Sequence, residues 1–579
     1  MLPARENHMS VTTVKPRKIR IGDLLIEHKV ISQEQLNAAL ADQKKSGRKL
    51  GRVLIESGYL TEDQLLDFLS RQLNIPYIEL KRYQVKPEVV RLIPEVHARR
   101  FRVLALEDAR DALLIGMADP TDIFAYDELT RVLRRPIKLA VVREADLLKT
   151  IDIMYRRTAE ISGLALELEQ EMSAYDVDLG ALASAEGLTD APVVKLLQTV
   201  FEDAIQVNAS DIHIEPDEKE LRIRFRQDGV LRVQTTAERK IASALVSRLK
   251  LMAGLDISEK RLPQDGRFNV RVRDKSIDVR LSTMPVQYGE SAVMRLLNQS
   301  SGILDLEQLG LPADLLVRVR RLINHPHGML LVTGPTGSGK TTTLYGALKE
   351  LNKPANKIIT VEDPIEYRLH GINQVQVNPK IELTFARVLR SVLRQDPDII
   401  LVGEMRDQET AEIGLRAAMT GHLVLSTLHT NDAISTVARL LDMDAAPFLI
   451  AASLRGILAQ RLVRRVCDAC AEPVELEPGQ AVIAREELGA AFATAQFKRG
   501  RGCTYCNHSG YQGRIGVYEL VEIDDSMAAS LHHGDPVAFG EAVRAQPGYQ
   551  SLRQSAMQLA ARGQTTMDQV LRATFGLED

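Results

Sequence analysis

The chain has 579 residues, long enough for about four domains of ordinary size. Lys and Arg number 74 and Asp and Glu 77, so the net charge of −3 argues against a strongly basic protein that coats nucleic acid. A composition with 45% hydrophobic and 26% charged residues is typical of soluble globular protein, and it excludes collagen, a disulfide scaffold and disorder throughout.

The N-terminal residues give no sign of a membrane anchor. Residues 1–18 are polar and basic without a period, which predicts a disordered tail. The sequence has no apolar run of signal-peptide length here and nowhere approaches the roughly 18 apolar residues of a membrane span. We therefore expect a cytoplasmic protein that is peripherally associated with a membrane through its partners.

Residues 19–74 predict four short helices in two similar copies. The copies are RIGDLLIEHKVISQEQLNAALADQ and KLGRVLIESGYLTEDQLLDFLSRQ. Ser32 and Thr61 each precede acidic and Gln residues, which predicts helix N-caps. A repeat of this kind is typical of a duplicated helix–turn–helix unit. A plain helical bundle, with the leucines as core and the glycines ending turns, is the alternative.

The rest of the chain divides by its pattern of apolar residues and turns. We predict, in order, a small α/β domain, an acidic and partly helical linker, a second mixed α/β domain, a strand–loop–helix nucleotide domain and a mostly helical end. The corresponding boundaries are 75–157, 158–189, 190–305, 306–525 and 526–579.

The segment GPTGSGKTT is the strongest signal in the chain. It follows the strand-like residues 330–332 and fits the phosphate-loop pattern G-x-x-x-x-G-K-[ST]. Its glycines let backbone N–H groups turn toward phosphate oxygens, and the helix that follows points its positive end at them. Lys340 would neutralise the β- and γ-phosphates, and Thr341 would bind Mg²⁺. The residues expected to hold ATP and Mg²⁺ are Gly334, Pro335, Thr336, Gly337, Ser338, Gly339, Lys340, Thr341 and Thr342.

Acidic and histidine residues follow three further strand-like runs. TVEDPIEY carries Glu366, GEMRD carries Glu404, and TGHLVLSTLHTN carries His422 and His429. Carboxylates at strand ends are placed where sites form in open α/β sheets. For any one of these residues taken alone, a solvated loop carboxylate or a structural histidine is the simpler reading.

Four cysteines form two C-x-x-C pairs within residues 466–507. Two thiolates from each turn can complete a closed tetrahedral Zn²⁺ site. The residues are Cys467, Cys470, Cys503 and Cys506, which are all the cysteines of the chain. We read the site as structural, with redox-active pairs as the alternative.

The four segments GPTGSGKTT, TVEDPIEY, RQDPDIILVGEMRD and TGHLVLSTLHTND resemble, in this order, the Walker A, Asp box, Walker B and His box of secretion ATPases. ASDIHIEP and LMAGLDISEKRLPQDGR are similar to the second N-terminal domain of the same family. The resemblance implies a multidomain α/β protein with a RecA-like ATPase domain. It also implies a PAS-like α/β domain before it, a small α/β domain, and an N-terminal helical tandem-repeat domain.

The resemblance also implies roles for individual residues. Glu366 matches the glutamate that activates the attacking water, and Glu404 the Walker B glutamate that supports Mg²⁺. His422 and His429 match the His-box pair. Two arginines, Arg280 in IDVRLSTMP and Arg295 in AVMRLL, match arginines that reach the γ-phosphate. The catalytic set that the resemblance implies is Lys340, Glu366, Glu404, Arg280, Arg295, His422 and His429.

The tandem copies resemble the cyclic di-GMP-binding domain first associated with a mannose-sensitive haemagglutinin (MSHA) pilus ATPase. Its motif is RLGxxLxxxGxxxxxxLxxxLxxQ, and here Lys29 and Lys49 depart from it. The matching residues of the first copy are Arg20, Ile21, Gly22, Leu25, Leu36, Leu40 and Gln43. Those of the second copy are Leu50, Gly51, Leu54, Gly58, Leu65, Leu69 and Gln72. Cationic side chains, close backbone approach at glycine and an apolar leucine floor suit a dianionic dinucleotide.

Together these resemblances imply a homo-hexameric motor that hydrolyses ATP to assemble an MSHA-type pilus, docked on an inner-membrane platform protein with accessory proteins. A type II secretion ATPase is the alternative within the family. Outside it, a scaffold that binds ATP without hydrolysis conflicts with the intact Lys340, Glu366 and Glu404. A nucleic-acid translocase is disfavoured by the near-neutral charge and the lack of aromatic platforms, so we expect no nucleic-acid partner.

Overall fold

We describe the protein from a computed structural model. The described residues are 22, 25, 26, 28, 30–46, 50–83, 85–109, 112–155, 161–168, 192–272, 275–298 and 303–575. The chain forms two compact units, one of residues up to 163 together with 503–508, and one of residues 164–502 and 509–579. The predicted tail lies outside the described residues, as do Arg20, Ile21, Lys29 and Lys49.

The first unit begins with the predicted tandem helices. The helices of this part are α1 (Gln33–Ser46), α2 (Leu50–Glu56) and α3 (Glu62–Leu73). Ser32 and Thr61 are the expected N-caps: Gln35 N–H donates to Ser32 Oγ at 3.2 Å, and Gln64 N–H donates to Thr61 Oγ1 at 3.2 Å. Their leucines pack into one small core that also contains Ile31 and Val53.

The small α/β part of the first unit has a separate core around a three-stranded sheet. Its elements are α4 (Pro87–Val90), α5 (Glu95–Phe101), β1 (Val103–Asp108), β2 (Leu113–Met117), α6 (Ile123–Leu133), β3 (Ile137–Val141) and α7 (Glu144–Met154). Strand β2 lies between β1, to which it is antiparallel, and β3, to which it is parallel. Residues 161–168, in the predicted linker, are helical.

The second unit begins with a six-stranded antiparallel sheet in the order β6-β5-β4-β9-β8-β7. Its elements are α8 (Pro192–Gln206), β4 (Asp211–Pro216), β5 (Glu220–Gln227), β6 (Val230–Glu238), α9 (Ala242–Met252), β7 (Gln264–Val272), β8 (Lys275–Val286) and β9 (Gly289–Asn298). Alternation along the strands gives one apolar face, with Ile212, Val279 and Met294 fully buried, and one polar face. Helix α9 packs on β4 and β9.

A seven-stranded sheet in the order β12-β11-β13-β14-β10-β15-β18 forms the centre of the nucleotide domain. Its strands are β10 (Gly328–Thr333), β11 (Ile358–Glu362), β12 (Asn373–Gln376), β13 (Ile399–Val402), β14 (Leu423–Leu428), β15 (Leu454–Val466) and β18 (Tyr511–Glu522). All pairings are parallel except that of β15 with β18. Strands β10, β11, β13 and β14 are almost wholly buried, as expected of a parallel sheet covered by helices on both faces.

Helices cover both faces of this sheet, and four more follow it at the end of the chain. They are α10 (Ala313–Ile323), α11 (Lys340–Leu351), α12 (Phe385–Val392), α13 (Gln408–Met419), α14 (Ile434–Asp442), α15 (Pro447–Ser453), α16 (Pro478–Leu488), α17 (Asp525–His532), α18 (Pro536–Ala545), α19 (Leu552–Ala561) and α20 (Met567–Phe575). A two-stranded sheet of β16 (Ala471–Pro473) and β17 (Lys498–Gly500) lies between β15 and β18 in the chain. The mixed α/β class predicted from the sequence is confirmed.

Candidate functional site

The predicted phosphate loop lies between β10 and α11. Gly334, Gly337 and Gly339 have φ values of +147°, +80° and +89°, a region that side chains rarely adopt. A Cβ at Gly334 would lie 2.4 Å from the carbonyl oxygen of Gln460, so this glycine also permits close packing. Helix α11 begins at Lys340, which places its positive end at the loop. The arrangement suits the phosphates of a nucleotide.

The amine of Lys340 is held inside this loop. It donates to the carbonyl oxygens of Gly334 at 2.7 Å and Pro335 at 3.0 Å. Burial lowers the pKa of Lys340 to about 8, and the Glu404 carboxylate partly opposes that shift. A cation without an exclusive carboxylate partner is available to phosphate oxygens.

Two glutamates of the segment TVEDPIEY have different surroundings. Glu362, the last residue of β11, is buried and accepts hydrogen bonds from Tyr345, Thr360 and Gln374. Glu366 is part-exposed, and its Oε2 lies 2.9 Å from Arg280 Nη2. Glu362 therefore ties β11 to α11, while Glu366 is the carboxylate that can act on a bound molecule.

Glu404 and His429 meet at the carboxyl edge of the parallel strands. Glu404 Oε2 lies 3.6 Å from His429 Nε2, and its other oxygen pairs with Arg406. Burial and the nearby Lys340 cation lower the pKa of His429, so its imidazole is neutral at neutral pH. Glu404 and His429 therefore lie in the electrostatic field of Lys340 in the phosphate loop.

His422, the other histidine of the matched pair, lies at the opposite edge of the sheet. It precedes β14, whose first residue, Leu423, is level with Gly328 at the start of β10. The ring Nδ1 is 2.9 Å from the carbonyl oxygen of Ala417. A strand of six residues spans about 20 Å, which separates His422 from His429. His422 has a structural position at the opposite edge.

The two predicted arginines are neighbours in one row across the six-stranded sheet. Arg280 on β8 is directly paired with Arg295 on β9. Arg280 also donates to the carbonyl oxygen of Ile365 at 3.0 Å, so it reaches the Asp-box loop. Arg295 Nε donates to the buried Asp211 at 3.1 Å, and its side chain is 57% exposed. The structure thus brings Arg280 to Glu366 and leaves the end of Arg295 accessible.

Sequence analysis missed a third arginine of the same row. Arg267 on β7 pairs directly with Arg280, so its side chain emerges on the same polar face. It is exposed. The sequence clue to Arg267 was its position at the end of LMAGLDISEKRLPQDGR, the segment that resembles the second N-terminal domain of the family. Gln460 on β15, which the sequence did not predict either, contacts the phosphate loop through Ser338.

The tandem segment has equivalent contacts in its two copies. A Cβ at Gly22 would lie 2.6 Å from Leu36 Cδ1, and one at Gly51 would lie 2.9 Å from Leu65 Cδ2. Each motif glycine therefore packs against a leucine 14 residues further on. The other described motif residues differ in burial. Leu25, Leu54 and Leu69 are buried, Leu40 is 37% exposed, and Gln43, Leu50 and Gln72 are part-buried. Gly58 has a φ of +71°.

Among the described motif residues, Gln72 is the one whose side chain forms a hydrogen bond to the other copy. Its Nε2 is 2.8 Å from Nε2 of His28. This contact joins the end of the second motif to the first copy, so the two copies form one surface.

The four cysteine sulfurs lie within 4.8 Å of one another. Cys503 Sγ and Cys506 Sγ are 3.7 Å apart, close to the separation of two thiolates on one tetrahedral Zn²⁺ with bonds of about 2.3 Å. Pairing of Val466 with Tyr511 and of β16 with β17 holds the chain around the cluster. The donor set fits zinc, with no protein ligand position left over.

The sheet, the phosphate loop and the acidic residues at its edge define a P-loop ATPase preceded by a separate six-stranded domain. Residues 186–572 match the family described as Type II/IV secretion system protein. The chain belongs to this family and is an ATPase of the secretion and pilus-assembly kind.

Two relatives represent the two branches of the family. The type IV pilus assembly ATPase PilB of Myxococcus xanthus is 43% identical over 558 residues, which cover 96% of this chain and 99% of the relative. The type II secretion system protein E of Dickeya dadantii is 45% identical over 497 residues, 84% of this chain and 98% of the relative.

Two further comparisons concern the fold and the N-terminal region. The ATPase DotB of Legionella pneumophila has a TM-score of 0.50 at 22% identity, covering 66% of this chain and 96% of that chain, and shares the fold. Residues 73–161 match the MshEN domain, so this match falls on the small α/β part and overlaps the tandem segment 19–74 only at residues 73 and 74. Among the described residues, no helix combines the length and the apolar character that a membrane span requires.

Proposed function

We propose that this ATPase is a hexameric, cytoplasmic motor that powers assembly of an MSHA-type type IV pilus and is regulated by cyclic di-GMP. The observation that carries the pilus assignment is coverage: the PilB relative aligns with 96% of the chain, the type II secretion relative with 84%. The pilus relative therefore accounts for more of this chain than the secretion relative does. Secretion through a pseudopilus is the second candidate, because identity to the two branches is similar.

The hydrolysis chemistry follows from the charges around the phosphate loop. Lys340 would pair with the β- and γ-phosphates, and Thr341 and Glu404 would hold Mg²⁺, which would supply positive charge to the phosphate oxygens. Glu366 orients and deprotonates the attacking water. Arg280 and Arg295 stabilise the charge that develops on the γ-phosphate oxygens. His429 contacts Glu404 and would respond to the γ-phosphate.

The ion pair of Arg280 with Glu366 links the six-stranded domain to this chemistry. Its atoms are 2.9 Å apart and the two side chains are 17% and 27% exposed, so the pair is poorly screened. Closing of the six-stranded domain on a nucleotide would bring Arg280 to the reacting phosphate, and release after hydrolysis would let it move away. A cycle of this kind in each subunit of a ring supplies the movement of a motor docked on an inner-membrane platform protein.

Cyclic di-GMP regulation is proposed on the tandem segment. The matching glycine–leucine contacts show that the two copies are built in the same way, and this equivalence supports two half-sites, one in each copy. Arg20 and Lys49 are the cations that would pair with the two phosphates. Since Lys49 lacks the planar fork of arginine, it would bind its phosphate as a point charge.

The structural role proposed for Zn²⁺ is to close the loop between the two C-x-x-C turns. Cys467, Cys470 and Cys506 are buried, so their thiolates would need a cation to offset the cost of desolvation. A bound metal of this kind adds its binding free energy to the stability of the domain.

A chromosomal Glu366→Gln replacement tests the motor assignment. We expect loss of surface pili with unchanged amounts of the protein and normal export of secreted enzymes. Loss of export with normal piliation would overturn the pilus assignment and favour type II secretion. A matched Glu382→Gln strain, altered at an exposed carboxylate of the same domain, should keep both functions.

Titration calorimetry of cyclic di-GMP into the full-length protein tests the regulatory proposal. We expect saturable binding that Arg20→Ala abolishes and Arg52→Ala, at an exposed cation of the same segment, preserves. Absence of heat with wild-type protein that still hydrolyses ATP would refute cyclic di-GMP binding while leaving the ATPase intact.

A further inference from the structure

Strand β15 extends past the end of β10 and lies beside the phosphate loop. The two strands are in parallel register up to the pair Thr333 and Ala459. Strand β10 ends there and turns into the loop, whereas β15 continues from Gln460 to Val466. Beyond Ala459, β15 has the phosphate loop beside it where β10 had been. Gln460 is the first residue of β15 in this position.

The amide of Gln460 spans the end of the loop and the start of α11. Its Nε2 donates to the carbonyl oxygen of Ser338 at 2.8 Å, and its Oε1 accepts from Thr343 Oγ1 at 2.7 Å. Gln460 is 2% exposed, so water does not compete for either bond. Lys340 and Thr341, the residues with phosphate and Mg²⁺ roles, lie between these two anchor points.

Two loop glycines are packed against the same residue. A Cβ at Gly339 would lie 2.8 Å from Gln460 Nε2, and one at Gly334 would lie 2.4 Å from the Gln460 carbonyl oxygen. Gln460 thus contacts both ends of the loop, from its backbone at one end and its side chain at the other. Neither end of the loop can move without breaking a hydrogen bond to Gln460 or clashing with it.

The chemistry of the position requires an amide. One anchor is an acceptor, the Ser338 carbonyl, and the other is a hydroxyl that donates, so the bridging group must donate at one end and accept at the other. A glutamate would set a carboxylate against a carbonyl oxygen and add a negative charge beside the phosphates. A methionine would fill the volume and make neither bond.

We propose that Gln460 is a positioning residue that holds the phosphate loop in its nucleotide-binding conformation. A loop that these two hydrogen bonds hold in place costs less conformational entropy to order when a nucleotide binds. Loss of the two Gln460 hydrogen bonds weakens nucleotide binding equally in the ground state and the transition state. It therefore raises the Kd for ADP and the KM for ATP, with a smaller effect on kcat. Gln460 acts through the loop and does not need to touch the nucleotide.

The variants Gln460→Met, Gln460→Glu and Thr343→Val test this role in the full-length protein. ADP titration gives Kd, steady-state phosphate release gives KM and kcat, and thermal unfolding gives Tm. We expect Kd and KM to rise together by about tenfold to a hundredfold in Gln460→Met, and by about threefold to tenfold in Thr343→Val, which breaks one bond only. Gln460→Glu should weaken ADP binding more than Thr343→Val does, because of the added charge.

Gln558→Met on α19 is the matched control and should leave Kd and KM unchanged. A purely structural role for Gln460 would lower Tm and the active fraction, and so kcat, while the Kd and KM of the folded molecules stayed the same. Kd and KM within twofold of wild type in Gln460→Met would overturn the proposal. If that variant does not fold, the same result in Gln460→Glu and Thr343→Val overturns it.

Discussion

The amine of Lys340 gives nucleotide binding a pH dependence whose size follows from its surroundings. Lys340 is 8% exposed, and burial lowers its pKa from 10.5 to about 8. The free protein therefore loses this charge as the pH rises through about 8, whereas bound phosphates keep the amine protonated. The apparent Kd then rises in inverse proportion to the fraction of Lys340 that is charged.

The expected change can be stated in numbers. With a pKa of about 8, roughly nine-tenths of Lys340 is charged at pH 7 and roughly one-tenth at pH 9. The Kd for ADP should therefore rise about tenfold between these values, or about 1.4 kcal/mol. The sign for folding differs: since the folded-state pKa lies below the unfolded one, the contribution of Lys340 to the free energy of unfolding rises between pH 8 and 10.5.

Calorimetric titration of ADP with Mg²⁺ from pH 6.5 to 9.5 at constant ionic strength measures how steeply the Kd for ADP rises with pH. His429 does not contribute above pH 7, because burial and Lys340 lower its pKa. In Lys340→Arg the guanidinium stays charged, so the Kd for ADP should not change with pH, whatever its value. Lys349→Arg, on the exposed side of α11, should keep the rise of the Kd with pH. A wild-type Kd that changes less than twofold between pH 7 and 9 would refute the argument.

Three further predictions concern the same domain. Glu366→Gln should keep ATP binding and lower kcat by about a hundredfold or more, measured by phosphate release, and near-normal turnover would remove its assigned role. Gly334→Ala should abolish ADP binding because its Cβ would lie 2.4 Å from a backbone oxygen, whereas Gly421→Ala, with a φ of +112° and nothing within 4 Å, should retain it. Purified protein should contain one zinc per chain by elemental analysis and Cys503→Ser much less; two equivalents or none would contradict a single four-cysteine site.

The parts of the site that the sequence predicted are those encoded by local spacing. The phosphate loop needs only a strand, three glycines and a helix start, and all of these lie within residues 328–340. The helix caps Ser32 and Thr61 depend on bonds three residues away. Local patterns of this kind do not depend on how distant segments pair.

The parts that were missed or misplaced depend on strand register. Arg267 joins Arg280 only because β7 and β8 pair in a particular register. Gln460 reaches Thr343, 117 residues earlier in the chain, only because β15 continues past β10. The sequence pairs His422 with His429 by motif, whereas their separation follows from the six-residue strand between them, which places its flanking residues at opposite edges of the sheet.

The most direct test of the account is the rate of phosphate release by Arg280→Ala in the full-length protein. In the proposed mechanism, the six-stranded domain completes the hydrolysis site through this arginine. We expect a kcat at least about a hundredfold below wild type with the Kd for ADP little changed, while Arg222→Ala, at a part-exposed arginine of the same sheet paired with Asp217, stays near wild type. A kcat for Arg280→Ala within twofold of wild type would contradict the account.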